Sequence, residues 1–158
     1  MPFPVYLLVP SAVLIIIVGL YSWIKVKKAE NLVFFFLCMG QALWAISSFL
    51  MWSSCGNDIA VVFWDRTLYF ATAMMVPLLY HLSLEVCGLM QRKQTKLFLS
   101  LAYIFGGLFA YLITTPYFVN GVFYYTYGCH TYAKTGHHFF IIYILTFLSF
   151  AFYNLFKT

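Results

Sequence analysis

Five long apolar runs, at residues 5–24, 32–52, 60–87, 97–114 and 138–156, leave this chain few ways to fold. At ~1.5 Å of rise per residue, about twenty helical residues cross a hydrocarbon core of roughly 30 Å. Inside that core no water satisfies a backbone amide, so a spanning segment must satisfy its own, and the α-helix does this. Composition agrees with the runs. Of 158 residues, 64% are hydrophobic, 22% aromatic and 8% charged, which is membrane-protein usage. The expected fold is all-α: a polytopic transmembrane helix bundle of five spans in one membrane domain over residues 1–158. No tandem repeat is evident.

The net charge of +5 is not spread as a nucleic-acid surface would spread it. Basic residues sit in short clusters between the runs, as topology signals do. With five spans, Lys25, Lys27, Lys28, Arg92, Lys93, Lys96 and Lys157 fall on one side, and only Arg66 and Lys134 on the other. That bias predicts a cytoplasmic C-terminus and an external N-terminus. The partner it implies is the lipid bilayer, and nucleic acid is excluded. No basic residue precedes the first run and no small-residue cleavage site follows it, so an uncleaved first helix is expected.

Local signals set the boundaries. Pro2, Pro4 and Pro10 crowd the start of the first helix, where proline is best tolerated. Asn31 is the expected N-cap of the second. Within that helix Gln41, Trp44 and Ser48 recur at helical spacing and share a face expected to pack inward. Residues 53–59 read as a loop. Gly106 and Gly107 mark a close helix approach in the fourth run. Residues 115–137 hold Asn120-Gly121 between YFV and VFYY, a hairpin signal, so a small extracytoplasmic β-hairpin or a related aromatic lid is expected there.

The third run holds the polar residues. Asp65 and Arg66 lie near its external end, Pro77 in the middle, and His81 and Glu85 toward the other end. At about 100° per residue, Arg66, Ala73, Pro77, Tyr80 and His81 share one side, together with Phe70 and Leu84. Met75, Leu78, Leu82 and Val86 oppose them. The mixed face is expected to turn toward other helices or a cavity. Arg66 has two readings: it meets an anionic ligand group, or it anchors the helix at lipid head groups. His81 also has two, an inward structural hydrogen bond or a functional contact. Glu85 either joins His81 in a relay or reaches toward Arg92 or Lys93. Pro77 frees the carbonyl of Ala73 and is expected to kink the helix.

Cys55 and Cys129 both fall in external loops by this topology. They either pair as a disulfide or stay free, since spacing along the chain does not fix their separation in space. Cys129, His130, His137 and His138 match no metal-ligand spacing, and exposed loop histidines are the expectation. HLSLE is not HExxH, and no nucleophile with its base, phosphate loop or paired-carboxylate site is recognisable. A non-enzyme with no cofactor and no metal is expected.

Several stretches resemble the N-terminal seven-helix membrane region of bacterial sensor histidine kinases. They are ALW at residues 42–44, FWDR followed by Pro77 and His81 in the third helix, and ITTPYFVNGVFYYTYG with AKTGHHFF between residues 113 and 140. The resemblance implies a sensory module of the bacterial cytoplasmic membrane, with ligand or sensing roles at Trp44, Trp64, Arg66, Pro77 and His81. It also implies a cytoplasmic signalling partner or a second copy of the chain. The family pattern has seven spans followed by a kinase, whereas five spans are legible here, so the chain reads as a stand-alone or truncated module. The alternatives are a small transporter or channel component, and a truncated fragment without function.

Overall fold

The computed structural model describes residues 3–126 and 128–157. A short 3-10 turn, Phe3–Leu7, leads into helices α1 (Leu8–Lys25), α2 (Ala29–Ser53), α3 (Asp58–Val86) and α4 (Lys93–Ile113). Strands β1 (Val119–Tyr125) and β2 (Gly128–Ala133) follow, and α5 (Thr135–Lys157) ends the order. All five helices are long and apolar enough to cross a membrane.

Several helices begin earlier than the apolar pattern suggests, because polar residues also join their first turns. Asn31 is not the cap of α2. It lies inside the helix, where its side chain accepts from the Ser22 hydroxyl at 3.0 Å and donates to the Val26 carbonyl at 2.9 Å. That pair closes the α1–α2 turn, while the capping position falls to Lys28 without a side-chain bond. Asn57 does cap α3: its side chain accepts from the Ala60 amide at 3.2 Å. Asp58 in the first turn suits the positive end of the helix dipole.

Helix α3 is the axis of the bundle. It packs against α2, α4 and α5, while α1 leans mainly on α2. The core joins Ala73, Val76, Tyr80 and Leu84 of α3 to Ala102 and Phe109 of α4 and to Phe140, Tyr143 and Phe147 of α5. Ala73, Pro77, Tyr80 and Leu84 are thus buried together, whereas Val86 is exposed. Between α1 and α2 the contact is made by small residues, Ala12, Ala42 and Ala45. A methyl group added at Gly19 would lie only 2.7 Å from the Cys38 Cβ. Such small-residue seams are how membrane helices gain van der Waals contact. Large apolar side chains such as Leu14, Ile104 and Ile142 point away from the protein, as they do where lipid is the solvent.

Asn120-Gly121 is not the hairpin turn. The strands β1 and β2 pair antiparallel, with Val122 opposite Thr131 and Tyr125 opposite Gly128, so the strands are joined after Tyr125 and not at Asn120-Gly121. Residue 127 lies outside the described residues. Asn120 and Gly121 instead form a bulge between the Val119 and Val122 pairings. Gly121 has φ +72°. The left-handed backbone that marks Asn-Gly turns serves bulges equally well, so the dipeptide signals the backbone and not which device uses it.

Candidate functional site

Polar side chains converge where the hairpin meets the bundle. Arg66, two turns into α3, donates to the backbone carbonyls of Thr115 at 3.3 Å and Val119 at 3.4 Å. Thr115 lies in the α4–β1 connection and Val119 opens β1. Arg66 therefore holds the root of the hairpin rather than reaching outward.

Asp65, near the external end of α3, is wholly buried. Its Oδ2 accepts from the Thr131 hydroxyl of β2. His130 Nδ1 stands 3.6 Å from the same oxygen, with the imidazole 38% exposed against 0% for the carboxyl group. That nitrogen also accepts the Thr131 amide at 2.9 Å. His137, at the start of α5, packs edge-on against Tyr69 and Phe118. Asp65 Oδ1, Arg66 Nε and His137 Nδ1 are buried without a hydrogen-bond partner among the described residues. Unsatisfied buried polar atoms are costly, and they tend to collect at sites with work other than stability. His130 and His137 are therefore not the exposed loop residues expected from the sequence; only His138 is exposed.

Two further ties pin the hairpin. Cys55 in the α2–α3 loop is bonded to Cys129 of β2, with a Cα–Cα distance of 5.7 Å. Tyr124 of β1 donates its hydroxyl to Asp58. That bond to a carboxylate raises the Tyr124 phenol above the ordinary tyrosine value, because ionisation would set two negative charges side by side. Trp64 packs beside Met51, Val61 and Cys129, under the disulfide.

The other expected site residues lie apart. Trp44 packs on the α1–α2 seam. Pro77 is buried at mid-helix, and α3 runs through it without a break. The carbonyl that Pro77 leaves free, that of Ala73, accepts from the Tyr143 hydroxyl of α5 at 3.2 Å. The same hydroxyl lies 3.3 Å from the Ala102 carbonyl of α4, so three helices meet at one oxygen. His81 Nδ1 is 3.1 Å from the Tyr103 hydroxyl, and His81 Nε2 is 3.5 Å from Glu85. Glu85 thus pairs along its own helix, with His81.

These residues form two polar layers, a hairpin layer and a deeper one around Tyr143 and His81, and not one pocket. The sequence carried a signal for Asp65, since any ionisable group in an apolar span is a candidate. Its place near the end of the run hid it. Tyr143 carried no signal, because a tyrosine in an apolar aromatic run looks like core. Among the described residues, no group of three or more His, Cys, Asp or Glu is placed to hold a metal ion.

Fold and site together define a polytopic helix bundle of membrane-spanning dimensions, with a disulfide-tied hairpin over one end. No protein-family model matches the chain, and neither a curated protein nor a solved structure does.

Proposed function

We propose that the chain is a sensory module of the bacterial cytoplasmic membrane that receives a stimulus at the hairpin and passes it through α3. It sits with the hairpin outside and the basic end in the cytoplasm, as the placement of Lys and Arg favours. It has no catalytic chemistry of its own and acts through a cytoplasmic signalling partner. The resemblance of residues 42–44, 64–81 and 113–140 to sensor histidine kinase membrane regions supports this reading.

One observation carries it. The polar side-chain ties of the hairpin run to α3, through Asp58, Asp65 and Arg66, while β2 also rests on α2 and α5. The same helix then carries Pro77 at the three-helix contact and His81 in its chain to Tyr103 and Glu85. A displacement of the hairpin is therefore applied directly to the element that reaches the opposite end. Such a device needs two packings of similar energy, and a proline-interrupted ladder satisfied from another helix supplies an adjustable joint.

The test places Arg66→Gln and His81→Gln in the full chain, co-reconstituted with a histidine kinase that lacks a membrane region of its own. Altered autophosphorylation in either variant is expected. Unchanged signalling in both overturns the reading, and solute flux in kinase-free proteoliposomes replaces it with a transporter.

A further inference from the structure

At the end of the bundle opposite the hairpin, two neighbouring clefts share part of their walls. The first, of about 420 Å³, lies between the α3–α4 turn and the last turn of α5, and Arg92, Lys157, Asn154 and Tyr153 line it. The second, of about 250 Å³, shares Tyr153 and Asn154 with it and continues past Tyr80, Phe98 and Phe150. Together they have a cationic mouth and an aromatic slot.

Among the described residues, no acidic side chain lines the mouth. There are four acidic residues in the sequence. Glu30 stands 3.7 Å from Lys28, Glu85 stands 3.5 Å from His81, Asp58 receives Tyr124, and Asp65 receives Thr131. None of them lines the cleft. The walls are also fixed. Lys157 Nζ is 2.7 Å from the Tyr153 hydroxyl, and the Asn154 amide donates to Ser83 Oγ at 3.2 Å. The guanidinium fork of Arg92 suits a phosphate group, and a lysine beside it supplies a second positive charge.

The slot opens where α4 and α5, both packed on α3, meet through the rings of Phe98 and Phe150. Leu84, Phe98 and Phe150 give it apolar walls that suit a hydrocarbon chain, and Gln94 and Thr95 line its polar end. A ligand with a phosphate at one end and a hydrocarbon chain at the other satisfies both halves. We propose that the paired clefts bind one anionic phospholipid, its phosphate between Arg92 and Lys157 and an acyl chain along Phe98 and Phe150. This goes beyond the sensing role and does not rest on it. A general attraction of basic residues to anionic lipid acts on every lysine at that end alike. The cleft singles out two of the basic residues.

The test uses the full chain in a non-ionic detergent and three probes: phosphatidylglycerol, phosphatidylcholine with the same acyl chains, and glycerol phosphate without chains. Native mass spectrometry and thermal unfolding are the readouts. One retained phosphatidylglycerol and a raised melting temperature are expected, with neither effect from the other two probes. The pair Arg92→Gln and Lys157→Gln should weaken binding about thirtyfold, the product of two cation contacts. The pair Lys25→Gln and Lys27→Gln removes the same charge from the same end and should leave binding unchanged. Equal weakening by both pairs, equal effects of the two lipids, or a full effect of glycerol phosphate alone each overturn the proposal. The three-probe comparison on the unmodified chain decides even if a variant does not fold.

Discussion

Tyr143 donates its hydroxyl to the Ala73 carbonyl at 3.2 Å, the oxygen that Pro77 cannot bond within its own helix. A proline in a membrane helix is tolerable when a neighbour satisfies the freed carbonyl, and here α5 does so. Removing the hydroxyl with Tyr143→Phe should cost about 1 kcal/mol, the upper range for a bond between membrane helices. Pro77→Ala restores the amide that Ala73 lacks, so the cost of Tyr143→Phe should shrink in that background. A double-mutant cycle from thermal or denaturant unfolding in micelles measures this; equal costs in both backgrounds would refute the coupling.

Gly106 and Gly107 are adjacent in the sequence and differ in space. A methyl group at Gly106 would lie 3.1 Å from the Ala73 carbonyl oxygen and 3.1 Å from the Tyr143 hydroxyl, while one at Gly107 meets nothing within 4 Å. Gly106→Leu should therefore destabilise by about 1–3 kcal/mol or more, through overpacking against a polar node. Gly107→Ala should be neutral or raise stability by up to about 1 kcal/mol through helix propensity. Comparing melting temperatures of the two variants checks the assignment.

Thr131→Val keeps the shape at Asp65 but removes the hydroxyl from its buried carboxyl group. Leaving a buried polar group without its partner costs about 1–3 kcal/mol. The loss should be local, freeing β2 from α3. Hydrogen exchange of the strand amides should accelerate while the amides of α4 remain protected. Asp65→Asn, which retains an acceptor oxygen, should be milder than Asp65→Ala.

The Cys55–Cys129 bond closes a loop with a sequence separation of 74 residues. Loop-closure entropy gives about 4 kcal/mol as a ceiling, less in a membrane, where the unfolded state keeps its helices. Under denaturing, non-reducing conditions a thiol label should add to Cys38 and Cys87 alone. After reduction it should add to all four cysteines. Four labels before reduction would show that the bond is not formed.

The five-helix bundle and the presence of a hairpin were legible in the sequence, since both follow from local pattern. Hydropathy falls before a helix ends, so the apolar pattern stops short of Lys93 at the start of α4 and of Thr135 at the start of α5. Asn120-Gly121 announced a left-handed backbone, and both a turn and a bulge use one. Arg66 and Pro77 stood out as residue types, but their partners, the Thr115 carbonyl and the Tyr143 hydroxyl, lie on other elements.

By itself the sequence determined which segments are apolar enough to leave water, because that free energy is a sum over neighbours along the chain. Only the tertiary structure decided that Asp65 is buried against Thr131, that Tyr143 answers Pro77, and that Arg92 shares a cleft with Lys157. Each of those depends on the separation of atoms from different helices, and a hydrogen bond or a charge contact fades within an ångström or two of its best distance. No spacing along the chain records such a separation.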